Sequence, residues 1–254
     1  MFALVCFIPR REVAYAESDE KLLAIIIDDF GGYERGGVDE MLNLQIPLTC
    51  AVMPFVENTH EDAERAVKSG KEVILHMPME SHVNLPLSWY GPTFIRNYDS
   101  ESVACNKIDK CLAEIPEAVG ANIHIGSGVS QNKRLMTAII NHLNRKGMFF
   151  CDSKTINNSA CEGAAIACNT PYISRDVFLE PHGEKSYASA CKYLIKAGEI
   201  ASEKGYAIAI GHVGREGGAD TARAILDSLP RLKEMGIKIV PLSTIADLLR
   251  KNIV

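Results

Sequence analysis

Two adjacent carboxylates, Asp28 and Asp29, close the apolar run Ile25-Ile26-Ile27 and are followed by Phe30-Gly31-Gly32. A run of β-branched residues reads as a strand buried on both faces. Neighbouring carboxylates repel and are costly to desolvate, so a pair at a buried strand end calls for a bound cation or a shared proton. Taken alone, such a pair also serves as a helix cap beside a turn. Three histidines argue for more than a cap, because His76, His124 and His212 each end or follow a separate apolar run. In a parallel α/β fold the strand ends meet at one face, and sites are built there.

Carboxylate and imidazole ligands around an open position make a hydrolytic zinc-type site, in which the metal brings the pKa of water towards about 7. Two adjacent Asp can divide the work, one binding the cation and the other taking a proton. His76 and His124 fit the ligand role. His212, just beyond the strand Tyr206–Ile210, fits an acid that protonates a departing amine or alkoxide.

Stepping along the chain, the segments alternate. Strands are expected at 47–53, 72–77, 120–125, 148–151, 172–179, 206–210 and 237–240 after the first, with helices at 59–69, 100–115, 135–146, 160–167, 184–204, 222–235 and 245–250 between them. The pattern, about seven or eight strands alternating with helices, predicts a parallel (β/α) barrel or an open variant of it in one domain, residues 21–254. A doubly wound sheet is the alternative, but Asp-Asp-Phe-Gly-Gly is not a dinucleotide or phosphate loop. Residues 81–99 form a long irregular loop carrying Trp89, the only tryptophan. Loops of this length in compact domains tend to be functional, so Trp89 and Tyr90, with Ser127 in the glycine-rich turn after His124, are candidate substrate contacts. Trp89 serves equally as a plug on the barrel's flank.

The chain has 254 residues, a formal net charge of −5 and a hydrophobic share of 47%. That is an ordinary globule, and its acidic balance argues against nucleic acid as a partner. The first eight residues are apolar but too short to span a bilayer, and no transmembrane span is expected. Ala14-Tyr15-Ala16 reads like a signal-peptidase site, although no basic residues precede the apolar run. Residues 1–20 are therefore expected to lie outside the fold as a leader of an exported, envelope-associated protein, with a cytoplasmic protein carrying a frayed arm as the alternative. The eight cysteines include no C-x-x-C pair; Cys105/Cys111 and Cys161/Cys168 are conceivable disulfides, but most are expected to be free thiols. His60, His82, His142 and His182 are expected to be solvated or capping residues, and Asp176 either a partner for Arg175 or a substrate-side group.

Six ordered stretches, Ile-Ile-Ile-Asp-Asp-Phe-Gly, Leu-His-Met-Pro-Met-Glu, Asn-Ile-His-Ile-Gly-Ser, Phe-Cys-Asp-Ser-Lys-Thr, Arg-Asp-Val-Phe-Leu-Glu and Ile-Ala-Ile-Gly-His, resemble the motifs of the divergent polysaccharide deacetylases, a branch of the carbohydrate esterases. The resemblance covers about residues 22–250. It implies a distorted form of the (β/α) barrel with about seven strands, a divalent metal, usually zinc, at the strand C-terminal ends, and N-acetylated polysaccharide or peptidoglycan sugars as substrates. It makes Asp28 the general base, Asp29 the first metal ligand, His76 the first histidine of an H-x-x-x-H motif and His212 the late catalytic histidine. It makes Asp152 and Arg175 residues that orient these groups. The chain departs from the pattern at Glu80, which stands where the second motif histidine is expected, so either Glu80 or His124 completes the metal shell. Two activities are consistent with this: a metal-dependent deacetylase, or a non-catalytic envelope protein that keeps barrel and metal to bind glycan or a cell-wall partner.

Overall fold

The computed structural model describes residues 20–251. Nine strands are described: β1 (Lys21–Phe30), β2 (Thr49–Val52), β3 (Glu72–Met79), β4 (Gly120–Ile125), β5 (Phe149–Asp152), β6 (Ile173–Ser174), β7 (Val177–Phe178), β8 (Tyr206–His212) and β9 (Ile237–Val240). Eight α-helices are interspersed: α1 (Val38–Asn43), α2 (Thr59–Lys68), α3 (Glu101–Glu114), α4 (Lys133–Arg145), α5 (Cys161–Ala167), α6 (Tyr187–Lys204), α7 (Gly218–Glu234) and α8 (Leu242–Lys251). All strand pairs are parallel, in the order β6-β5-β4-β3-β2-β1-β8-β7. β9 joins the first half of β1, on Lys21 to Ala24, while β2 takes the second half.

The stretch 172–179 is two short strands rather than the single strand expected. β6 pairs with β5 and β7 with β8, so this one segment lies against both edges of the curled sheet. The crossover falls at two residues: Arg175 N–H donates to the Asp152 carbonyl (3.0 Å) and Asp176 N–H to the Ile208 carbonyl (2.8 Å). Asp176 is not a partner for Arg175. Its carboxylate pairs with Lys204 at 2.6 Å and accepts the Ile208 N–H at 2.8 Å, which secures the β7–β8 edge.

Strand side chains alternate between two faces, and here each face has its own core. In β1, Leu23, Ile25 and Ile27 join the layer under α1 to α7. Leu22, Ala24 and Ile26 meet Ala51, Ile74, Cys151, Ile173, Ile208 and Ile210 from around the sheet, inside the curl. Helix α8 supplies Leu242, Ile245, Ala246 and Leu249 to that inner core. It is tied to strand starts, with Leu242 N–H on Thr49 Oγ1 (3.0 Å) and Ser243 N–H on Glu72 (3.2 Å), so it covers the N-terminal end of the barrel. Burial on both faces is why β1 lacks polar alternation until its last residues.

The seven described cysteines are free thiols, so neither conceivable disulfide forms. No helix among the described residues is long and apolar enough to cross a membrane. The leader expected at 1–20 lies outside the described residues apart from its last residue, Glu20.

Candidate metal centre and active site

The inner series of each strand continues past the apolar core into polar residues at the C-terminal end. After Ile26 comes Asp28, after Ile74 comes His76, and after Ile210 comes His212; Asn122 and His124 sit opposite in register to Ala121 and Ile123, which face the helices. The period of two therefore delivers Asp28, His76, Asn122, His124 and His212 to one place.

Asp29 is out of phase and reaches the same place by a different route. Its φ is +71°, a left-handed backbone that costs a non-glycine residue about 1–3 kcal/mol and persists only where surroundings enforce it. They do so through α2. Gly31 N–H donates to Asp62 Oδ2 (2.8 Å), Asn58 Nδ2 donates to the Gly32 carbonyl (3.0 Å), and Arg35 pairs with Asp62 at 2.7 Å. Gly31 must be glycine: its φ is +87°, and a Cβ there would meet the Met53 carbonyl at 3.1 Å. At the end of β4, Ile125 also has a left-handed φ of +62°, unusual for a β-branched residue, and turns the chain immediately after His124.

Asp29 Oδ1 lies 3.1 Å from His124 Nδ1 and 3.3 Å from His76 Nε2, and the two nitrogens are 3.0 Å apart. The other nitrogen of each ring faces a carbonyl oxygen. His76 Nδ1 lies 2.7 Å from Asn122 Oδ1, and His124 Nε2 lies 3.0 Å from the Trp89 backbone carbonyl. The Asn122 amide cannot be reversed, because its Nδ2 donates to Asp28 Oδ1 (2.7 Å). A neutral imidazole here directs its N–H outward and its lone pair towards the Asp29 carboxylate, whereas a protonated one donates to that carboxylate. Three potential ligand atoms converge on one point, a position that a metal ion could fill. Tetrahedral zinc with bonds near 2.0–2.1 Å spaces its ligand atoms about 3.3 Å apart, close to the separations seen, so the donor set fits such an ion.

Electrostatics divides the two aspartates. Burial opposes ionisation of Asp29, but hydrogen bonds from His124 and His76 outweigh it and hold that carboxyl well below the usual range. Burial dominates at Asp28 and keeps its pKa raised, despite the attraction of His76 and His212. For His76, burial works against the charged form, yet Asp28 and Asp29 outweigh it and raise its pKa. His212 is the register partner of Asp28 on β8. Burial again disfavours its charge, but the Glu180 hydrogen bond and the fields of Asp29 and Asp28 push it up to about 9. Its Nδ1 lies 3.1 Å from Glu180 Oε2, which leaves Nε2 as the other proton-carrying position. Glu180 is buried and held in turn by the Thr221 hydroxyl and the His212 N–H.

Asp28, Asp29, His76, His124 and His212 line a cavity of about 870 Å³. Trp89 lines it as well with its side chain 56% exposed, so it stands on the rim and does not plug the barrel's flank. His182 is exposed, as expected, and lies on the lining of this cavity. His142 instead pairs with Asp109 (2.8 Å) and His60 with Glu114 (2.8 Å).

Several expected site residues are elsewhere. Glu80 lies beyond the last regular residue of β3, where the chain turns to bond Ile95; its Oε2 accepts the Asn97 N–H (2.6 Å) and it lines a separate concavity of about 650 Å³. His124, not Glu80, lies with Asp29 and His76 in the group of side chains that could hold a metal ion. Tyr90 is buried and stacked on Phe94 (4.6 Å), so it meets no substrate. Ser127 is buried and bonded to Ser81 Oγ (2.9 Å) and His82 Nδ1 (2.8 Å), anchoring the loop. Asp152 has the opposite phase to Cys151 and faces the helices, where it accepts from Lys154 N–H (2.8 Å) and Tyr172 OH (3.0 Å). Arg175 lines the cavity, but its Nε and Nη2 donate to the carbonyls of Ser153 (2.8 Å) and Lys154 (3.0 Å). Two residues to which sequence reasoning gave no role, Asn122 and Glu180, make the bonds that orient His76 and His212. Asn122 is readable from strand phase, and Glu180 ends a recognised motif.

A sequence model of the divergent polysaccharide deacetylases matches residues 25–246, and the chain belongs to that family. It is 31% identical over 194 residues to the uncharacterized protein YibQ of Escherichia coli (strain K12), and 27% identical over 190 residues to an uncharacterized protein of Haemophilus influenzae. In each case 75% of this chain is aligned, and it spans only 58% and 66% of the length of these relatives. Among solved structures, the uncharacterized protein ATU2773 of Agrobacterium tumefaciens C58 is similar with a TM-score of 0.79 at 21% identity, covering 92% of this chain and 93% of that one. The Bc1960 peptidoglycan N-acetylglucosamine deacetylase is similar at a TM-score of 0.57 and 14% identity, covering 90% and 89%. BA3943 of Bacillus anthracis, a pseudoenzyme of carbohydrate esterase family 4, is similar at 0.58 and 13%, covering 91% and 66%. These structural likenesses define the fold.

Proposed function

We propose that this protein is a metal-dependent hydrolase that removes acetyl groups from an N-acetylated polysaccharide or peptidoglycan sugar outside the cytoplasm. The observation that carries the reading is the convergence of Asp29 Oδ1, His76 Nε2 and His124 Nδ1, each imidazole oriented by a carbonyl on its far side. These three residues would hold a divalent cation, zinc by donor chemistry. When bound, such an ion supplies Lewis acidity that polarises a carbonyl and acidifies water.

The chain's own residues do the rest. Asp28, with a raised pKa and one oxygen engaged by Asn122, takes the proton of the attacking water as general base. His212, held charged by Glu180, gives its Nε2 proton to the departing amine. The pair face one another across β1 and β8, so base and acid work from adjacent strands of one cavity wall. The test is to purify the protein, measure its zinc content and follow acetate release from N-acetylglucosamine oligomers and from peptidoglycan. One zinc per chain with acetate release is expected; one zinc with no turnover of any acetylated glycan would favour the glycan-binding, non-catalytic reading.

A further inference from the structure

The charged groups around the cavity are not all paired. Glu34 is paired with Arg215 at 2.6 Å and Glu216 with Lys185, so each of these acids has its own cation. The two aspartates are engaged by His76, His124 and Asn122. On the wall formed by the turn after β5, Lys154 lines the cavity and, among the described residues, its ammonium meets no carboxylate. Beside it Arg175 bonds only carbonyls and lies 5.0 Å above the Phe178 ring. Arg175 lies in the fields of Asp152 and Asp28, which leaves Lys154 as the cation of this wall without a carboxylate of its own.

Lys154 is also held there at a cost. Its φ is +48°, a left-handed conformation rarely adopted by a residue with a long side chain. Two other charged groups are spent on keeping it: Asp152, fully buried, accepts the Lys154 N–H at 2.8 Å, and the Arg175 guanidinium donates to the Lys154 carbonyl at 3.0 Å. Strain that the surroundings over-determine is characteristic of functional positions. With its backbone clamped from both sides, this exposed lysine carries its ammonium from a set position on the rim of the cavity.

We infer that Lys154 is a specificity-determining residue that receives an anionic oxygen group on the substrate, a carboxylate or a phosphate carried by the acetylated sugar. The inference rests on the deacetylase reading for the identity of that sugar. A neutral glycan leaves Lys154 unmatched, whereas an anion near Lys154 makes a charge-assisted hydrogen bond at the cavity's rim. Asp152 and Arg175 act through Lys154 as positioning residues.

The test is equilibrium binding to the zinc-loaded protein, read by calorimetry, with three probes: N-acetylglucosamine, N-acetylmuramic acid, which adds a carboxylate, and N-acetylglucosamine 6-phosphate. The anionic sugar of the correct type is expected to bind at least 10-fold more tightly than the neutral one, with a preference that weakens as salt is added. In Lys154→Gln that preference should fall by about 10- to 100-fold, the size of a lost charge-assisted hydrogen bond, and Lys154→Arg should retain most of it. The carboxylate and phosphate arms decide which anion is received. Equal binding of all three sugars, or a preference unchanged in Lys154→Gln, would overturn the inference. Acetate release, measured separately, decides the deacetylase reading, so either can fail without the other.

Discussion

Asn122 bridges Asp28 and His76: its Nδ2 donates to Asp28 Oδ1 at 2.7 Å and its Oδ1 lies 2.7 Å from His76 Nδ1. One buried amide therefore sets the tautomer of a metal-facing imidazole and engages the carboxylate beside it. Asn122→Leu should keep the fold, since the site is inside a strand, but release the ring orientation. Zinc affinity is expected to fall about 10- to 100-fold, as for other groups that orient metal ligands. Competition with a chelating dye reads it directly, and an unchanged affinity would remove Asn122 from the account.

Asp28→Asn separates chemistry from metal binding. Acetate release should drop by about 10²- to 10⁴-fold, the usual worth of a positioned general base, while the zinc content stays near one per chain. Loss of zinc together with activity would mean that Asp28 is itself a ligand.

Glu180 raises the proton affinity of His212. A group whose folded pKa, here about 9, exceeds its ordinary value of 6.5 stabilises the fold fully below pH 6.5. That stabilisation is lost as pH rises through about 9. Removing the carboxylate with Glu180→Gln should lower the His212 pKa in an NMR titration. It should also flatten the decline in urea stability between pH 6.5 and 9. A His212 resonance titrating at the same pH in both proteins would contradict the pairing.

The inner core is tested by Ile26→Ala, since Ile26 is fully buried among residues from across the curl. A loss of about 2–5 kcal/mol with an unchanged denaturant slope is expected from urea unfolding. A loss below 1 kcal/mol would mean that the inner layer is loosely packed.

Much of this was legible in the sequence because strands alternate. Asp28, His76, His124 and His212 each follow an apolar run, and the phase of that run decides which face they join. The same rule, applied to Asp152, would have shown that it faces the helices. The alternation stops informing where a strand stops. Glu80 is four residues after His76, but the chain has already bent to bond Ile95, so its carboxylate lands on Asn97. Tyr90 and Ser127 belong to irregular segments, where Tyr90 packs on nearby Phe94 and Ser127 on distant His82 with no regular period to reveal either contact. Asp29 enters the site only through a left-handed backbone enforced by α2, a tertiary constraint.

The central claim is that Asp29, His76 and His124, brought from β1, β3 and β4, hold a single divalent cation. Anomalous diffraction from a zinc-soaked crystal tests it most directly. One peak is expected about 2.0–2.2 Å from Asp29 Oδ1, His76 Nε2 and His124 Nδ1, and it should disappear in His124→Ala. A peak coordinated by other side chains, or full zinc occupancy retained in His124→Ala, would contradict it.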